Sequence, residues 1–147
     1  MRRIKAAMGV AAVLTAAMAG LGATAAPAQA SGATCEDRGL TYLCQYGEAA
    51  HTLGDGTTQV FAVGTDHAVW TSWDNSASVW TSWRSMGGYA QSPINDSYSF
   101  GDNDLYHFAI VVLGANGHGE YRERGDDGVW TPWQPACFLN DNFGGCA

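Results

Sequence analysis

The chain has 147 residues, of which 14 are acidic and seven are Lys or Arg, so its formal net charge is −7. Only four arginines and no lysine follow Ala30, so that part carries a formal charge of −10. We therefore expect neither nucleic acid nor a membrane surface as a partner, because binding phosphate requires a basic footprint.

The first 30 residues have the pattern of a secretory signal peptide. A basic start at residues 2–5 precedes an apolar Ala- and Val-rich stretch that ends in small residues, Ala-Gln-Ala. We expect cleavage near Ala30, rather than retention as a membrane anchor, and hence a secreted, extracellular protein. Residues 31–147 then form a single small β domain.

An even number of cysteines in a small exported domain predicts two disulfides. The cysteines are Cys35, Cys44, Cys137 and Cys146. Of the three possible connectivities, the equal spacing favours two local loops, and pairing across the ends would instead join the termini. Metal binding is disfavoured, because no two cysteines have close ligand spacing and no histidine adjoins one. We expect no metal and no cofactor.

Residues 54–88 predict a meander of short antiparallel strands. An apolar run over residues 60–63 lies between turns that contain Gly and Asp, and two Trp-Thr-Ser-Trp strands follow over 69–73 and 79–83. Frequent Gly, Asn and Asp residues disfavour a helix. A fourth strand is predicted ahead of these, at 49–53.

The pattern recurs in the second half of the chain. Residues 129–134 match residues 79–84 almost residue for residue, at a spacing of 50 positions, and a preceding strand is predicted at 96–100. A period of this length with Trp and Gly punctuation is typical of propeller-like arrays. We predict an all-β fold of two four-stranded antiparallel propeller-like blades, about 47–88 and 92–135, with cystine-tied terminal loops. A small β-sandwich is the alternative.

The first repeat resembles a known family. Residues 59–66, 68–70, 80–83 and 86–88 are similar to the PLL-like β-propeller repeat of secreted bacterial lectins and exported actinobacterial proteins. The resemblance implies a lectin that binds fucose or O-methylated sugars between neighbouring blades. Familiar members close a ring of about seven blades. With two repeats, this chain would form either a homo-oligomeric ring or a compact sandwich with cystine caps.

The Trp-x-x-Trp spacing places the two indoles of each motif on opposite faces of a strand, because side chains alternate. Aligning the repeats on their aromatic residues pairs Trp70 with Tyr121 and Trp73 with Arg124. A core position does not accept an unpaired arginine. We therefore expect Trp73 to lie at the surface or in a cleft.

An exposed indole flanked by hydrogen-bonding side chains has the composition of a sugar site, because the ring stacks on the C–H face of a pyranose while polar groups meet its hydroxyls. The predicted ligand-binding residues are Trp73, Asp74, Asn75, Trp83, Arg84, Arg124 and Trp133. The alternative is that all six tryptophans fill blade cores and seams.

We expect no enzymatic activity, since the sequence has neither a G-x-S-x-G nor an H-E-x-x-H motif. The predicted function is non-catalytic carbohydrate binding outside the cell. The alternative is a small secreted protein-interaction or inhibitor module that presents the disulfide-tied loop 137–146 as a rigid epitope.

Overall fold

The computed structural model describes residues 32–99 and 104–137, which form ten β-strands and one short 3-10 helix. The prediction of an all-β fold is confirmed. Within these residues there is no helix with the length and apolar character to cross a membrane. The predicted signal peptide lies outside the described residues.

A disulfide-tied hairpin opens the described part of the chain. Strand β1 (Thr34–Asp37) pairs with β2 (Leu40–Leu43), and the 3-10 helix (Cys44–Tyr46) follows. Cys35 is bonded to Cys44, which confirms the predicted local loop. Cys137 is also in a disulfide, and Cys146 lies outside the described residues.

Two four-stranded antiparallel sheets follow, each with its strands in chain order. Sheet 1 consists of β3 (Glu48–Thr52), β4 (Thr58–Val63), β5 (Val69–Trp73) and β6 (Arg84–Gly87). Sheet 2 consists of β7 (Asn95–Ser99), β8 (Phe108–Leu113), β9 (Gly119–Arg124) and β10 (Gln134–Pro135). Strands joined by short connections usually pair as neighbours, which accounts for this order.

The prediction of strands over residues 79–83 and 129–133 is wrong. Each segment forms a single isolated bridge, Asp74 with Trp80 and Arg124 with Trp130. Regular pairing resumes only at β6 and β10.

A threonine side chain accounts for this irregularity in both repeats. Thr81 Oγ1 accepts the N–H of Trp73 at 3.1 Å, and Thr131 Oγ1 accepts the N–H of Glu123 at 3.0 Å. The hydroxyl satisfies a backbone donor that a regular strand would satisfy with a carbonyl. The backbone ladder is therefore interrupted where the Trp-Thr motif begins.

The hairpins of the two sheets correspond at a spacing of 50 residues. Val63 pairs with Val69 at the β4–β5 turn, and Leu113 pairs with Gly119 at the β8–β9 turn. The two turns have the same length, so the alignment of the two repeats needs no insertion between these strands. Trp73 therefore corresponds to Glu123, and the aromatic alignment that paired Trp73 with Arg124 was wrong by one residue.

The two sheets contact each other through non-equivalent faces. We call the face of sheet 1 that carries Phe61 its front face, and the face of sheet 2 that carries the corresponding Val111 its front face. The shared core contains Phe61, Val63 and Val69 from the front of sheet 1 and Phe108, Ile110 and Val112 from the back of sheet 2. The front of the first sheet thus packs on the back of the second.

Three aromatic rings form the centre of this contact, which we call the seam. Phe61 and Phe108 are fully buried, with ring centroids 6.2 Å apart in an edge-to-face arrangement. The indole of Trp130 lies 5.8 Å from Phe61 and 5.4 Å from Phe108, also edge-on. Such geometry adds about 0.5–1.5 kcal/mol per pair to the free energy gained by burial.

The outer faces of the two sheets are buried at their central strands, whereas Glu48, Ala50 and Thr52 on the outer face of β3 are exposed. On the back of sheet 1, Ala62 has no exposed surface and Val60 is 7% exposed. On the front of sheet 2, Val111 has no exposed surface and packs with Ala136 and Tyr121 in a second, smaller cluster. Neither sheet therefore presents an open apolar face at these positions.

We expect Phe61→Ala to lower the free energy of unfolding by about 3–5 kcal/mol, because it removes a buried ring from the centre of the seam. Val79, which is 60% exposed, provides the control. Val79→Ala should change stability by no more than about 0.5 kcal/mol. Urea denaturation of both variants measures the difference, and similar losses would contradict the described core.

Candidate functional site

A cavity of about 420 Å³ lies at one end of the seam, within the size range of small-molecule sites. We call it the seam cavity. Sheet 1 and its flanks contribute Leu53, Gln59, Thr71, Trp73, Arg84, Ser85 and Met86, and the sheet 2 side contributes Arg122, Arg124, Gly128 and Trp130.

The polar floor of the cavity comes from neighbouring strands of sheet 1. Gln59 pairs with Trp73 across β4 and β5, and Thr71 pairs with Arg84 across β5 and β6, so these side chains share one face. Gln59 Nε2 donates to Thr71 Oγ1 at 2.9 Å, and that hydroxyl donates to Val60 O at 3.0 Å. The chain of bonds fixes the amide, and Gln59 Oε1 accepts no hydrogen bond from the described residues.

An indole and a guanidinium form the more open side of the cavity. Arg84 Cζ lies 5.2 Å from the centroid of the Trp73 ring, within the range of a cation–π contact. Trp73 is half-buried and Arg84 is exposed. Arg84 forms no hydrogen bond or ion pair with a described residue.

Arg122 reaches across the seam from β9. It pairs with Ile110, which belongs to the shared core, so both side chains point towards sheet 1. Its Nε donates to Thr131 O at 2.5 Å and its Nη1 donates to Met86 O on β6 at 2.8 Å. Burial lowers the pKa of this guanidinium, although arginine stays charged at neutral pH.

Arg124 occupies the next position on the same face. It pairs with Phe108, and its Nη1 donates to Tyr106 O at 2.9 Å and to Gly125 O at 3.4 Å. Gly128 lies against this guanidinium: a Cβ at that residue would stand 3.1 Å from Arg124 Nη2, and its φ is +78°. The close approach and the left-handed backbone both favour glycine there.

The described lining of the cavity contains no acidic residue. The three arginines form no ion pair within 4.0 Å of a described carboxylate. The charge of Arg124 does reach Asp55, where the pKa of the carboxyl is lowered mainly by hydrogen bonds from Thr57 and, to a smaller extent, by this guanidinium. The cavity is therefore a positively charged site in an acidic protein.

Two of the predicted ligand-binding residues instead accept hydrogen bonds from backbone N–H groups. Asp74 Oδ1 accepts the N–H of Thr58 at 2.6 Å. Asn75 Oδ1 accepts the N–H groups of Ala77 and Val79 at 2.9 Å and 3.1 Å. Neither side chain lines the seam cavity.

Two of the predicted tryptophans lie elsewhere. Trp83 Nε1 donates to Asp37 O at 3.0 Å, so this indole holds the β1–β2 hairpin against the chain after β5. Trp133 Nε1 donates to Met86 O at 3.0 Å, and its ring lies against Gly88, where a Cβ would stand 2.7 Å from the indole. Of the seven predicted residues, the cavity brings together Trp73, Arg84 and Arg124.

Four further residues that line the cavity were not predicted from the sequence: Gln59, Thr71, Arg122 and Trp130. Strand alternation alone places Thr71 on the Trp73 face and Arg122 on the Arg124 face, whereas the shared face of Gln59 and Trp73 depends on the β4–β5 register. That signal was present, but it became informative only once the contact between the front of sheet 1 and the back of sheet 2 was known. The predicted loop 137–146 falls outside the described residues beyond Cys137.

Within residues 32–99 and 104–137, no group of three or more His, Cys, Asp and Glu side chains is placed to hold a metal ion. No protein-family model matches the chain, and no curated protein is significantly similar to it.

Trp73 and Trp130 both line the cavity, but we expect their truncation to alanine to lower the free energy of unfolding by very different amounts. Trp130→Ala should lower the free energy of unfolding by about 3–5 kcal/mol, because the ring packs on two buried phenylalanines. Trp73→Ala should cost about 1–2 kcal/mol, since it loses a half-buried surface and one cation–π contact. Chemical denaturation compares the two, and an equal or larger loss for Trp73→Ala would contradict its assignment to the open side of the cavity.

Proposed function

We propose that this protein is a non-catalytic carbohydrate-binding protein and that the seam cavity is its sugar site. The observation that carries the proposal is the half-buried Trp73 indole beside the fixed amide of Gln59 and the guanidinium of Arg84. An aromatic face suits the C–H face of a pyranose, and the amide and guanidinium suit its hydroxyls.

The relation between the two sheets supports a lectin-like architecture. Front-to-back packing of two equivalent sheets is the arrangement of successive blades in a propeller. We propose that sheets 1 and 2 are two such blades, in keeping with the resemblance of the first repeat to the PLL-like repeat. That resemblance implies sugar sites between blades, and the seam cavity lies between the two sheets.

The buried outer faces favour a subunit that does not need to close a ring. Ring closure would bury a wide apolar face on each outer sheet, whereas Ala62 and Val111 at the centre have no exposed surface and the outer face of β3 exposes the polar Glu48 and Thr52. A two-blade subunit would then carry one seam and one sugar site. A homo-oligomer, if formed, would use other surfaces.

Binding rather than hydrolysis fits the groups that line the cavity. Glycoside hydrolysis uses a pair of carboxylates flanking the scissile bond, and the described lining supplies an amide, a hydroxyl, indoles and guanidinium groups. The Cys35–Cys44 disulfide supports an oxidising compartment and hence the proposed export from the cell.

The test is titration of the protein with a panel of neutral and acidic saccharides, followed by tryptophan fluorescence and calorimetry. We expect Trp73→Ala to weaken binding by about tenfold or more, since loss of stacking and apolar contact is worth about 1.4 kcal/mol or more.

Trp70→Ala is the matched control. Trp70 lies on the same strand but pairs with Ala62 on the back face, and its Nε1 donates to Asp66 Oδ1. This variant should keep the affinity of the parent protein. Absence of binding to every saccharide, or equal losses in the two variants, would overturn the proposal.

A further inference from the structure

The distribution of arginine in this protein is uneven. Four arginines and 14 acidic residues follow Ala30, and there is no lysine in that part. Three of those four arginines line the one seam cavity, without a described acidic residue among them. Like charges held together in a partly buried space repel one another, so this clustering does not serve stability.

Two of the arginines are held in place by backbone carbonyls. Arg122 uses Nε and Nη1 for bonds to Thr131 O and Met86 O, and Arg124 uses Nη1 for Tyr106 O. A guanidinium carries five N–H donors. Each anchored group therefore retains N–H donors, and its position is fixed before a ligand arrives.

The third arginine is available for direct pairing. Arg84 is exposed, lies over Trp73 and has no hydrogen-bond or ion-pair partner among the described residues. The planar fork of a guanidinium matches a carboxylate or sulfate in a bidentate pair. An anionic group bound here would meet the guanidinium of Arg84, which is unpaired among the described residues, on one side and the anchored guanidinium groups of Arg122 and Arg124 on the other.

We propose that the ligand of the seam cavity is an anionic saccharide, one whose sugar ring stacks on Trp73 while its carboxylate or sulfate pairs with Arg84 and the anchored arginines. This inference rests on the proposed sugar-binding function and names its ligand class. The cavity volume of about 420 Å³ suits one or two sugar units rather than an enclosed long chain. A nucleic acid is disfavoured, because its phosphate backbone would meet an acidic surface outside the cavity.

The experiment measures affinities for matched pairs of saccharides by calorimetry. Uronate disaccharides of the gluco, galacto and manno series are compared with their neutral methyl esters, and 6-sulfated sugars with their unsulfated counterparts. We expect one acidic member to bind about ten- to a hundredfold more tightly than its neutral partner, as for a charged hydrogen-bonded group. The preference should shrink as salt increases. Whether the uronate or the sulfate pair responds identifies the anionic group.

Arg84→Gln tests the assignment of that preference. It should reduce the affinity for the acidic member to about that of the neutral member, with little change for the neutral one. Arg38→Gln is the control, because Arg38 lies on the hairpin over Trp80, pairs with Asp37 and is outside the cavity. It should leave both affinities unchanged.

The outcomes separate the two proposals. Equal affinity for acidic and neutral members, with Trp73→Ala still weakening both, would overturn the anionic ligand and leave the sugar site in place. Binding of no member of any pair would overturn the sugar site and the anionic ligand together. An acidic preference that survives Arg84→Gln but is lost in Arg38→Gln would also overturn the inference.

Discussion

The edge-to-face cluster of Phe61, Phe108 and Trp130 is the interaction on which the rest of the structure depends. Each four-stranded sheet has an apolar face that is too costly to leave in water, and these rings join the front of one sheet to the back of the next. The apolar contact stops short of Gln59 and Trp73, and the space beyond it is the seam cavity.

The same non-equivalence explains how the cavity acquires its charge. The front face of sheet 1 contributes Gln59, Thr71 and Trp73 to the cavity. The back face of sheet 2 lies opposite and contributes Arg122 and Arg124. Their counterparts in the first repeat, at the spacing of 50 residues, are Ser72 and Asp74. The first repeat therefore contributes Trp73 with the exposed Arg84, and the second contributes the two anchored arginines. The two sheets have the same strand order but differ in residue type at these positions.

The local sequence pattern predicted the positions of most strands, but it did not predict which faces of the two sheets contact each other. Alternation and turn residues were sufficient for β4 and β5, and cysteine spacing for the Cys35–Cys44 loop, because these depend on neighbouring residues; the strands β1 and β2 within that loop were not predicted. The strand prediction for residues 79–83 was wrong because the Thr81 hydroxyl, rather than a backbone carbonyl, accepts the N–H of Trp73. Hydrophobic periodicity does not reveal such a bond. The repeat alignment failed by one residue because it matched aromatic side chains rather than turn lengths. Arg122 could not be recognised as a cavity residue until the contacting faces were known, since face-to-face packing is a tertiary property.

The most direct test of the proposed site in the seam cavity is an NMR titration that follows the side-chain N–H signals of arginine and tryptophan while the preferred acidic saccharide is added. We expect shifts at the Nε–H groups of Arg84 and Arg124 and at the indole N–H of Trp73. The signals of Arg38 and Trp83 should not change, since those two residues belong to the hairpin contact. Shifts centred on Arg38 and Trp83, or no shift in the seam cavity at saturation, would contradict the proposed site.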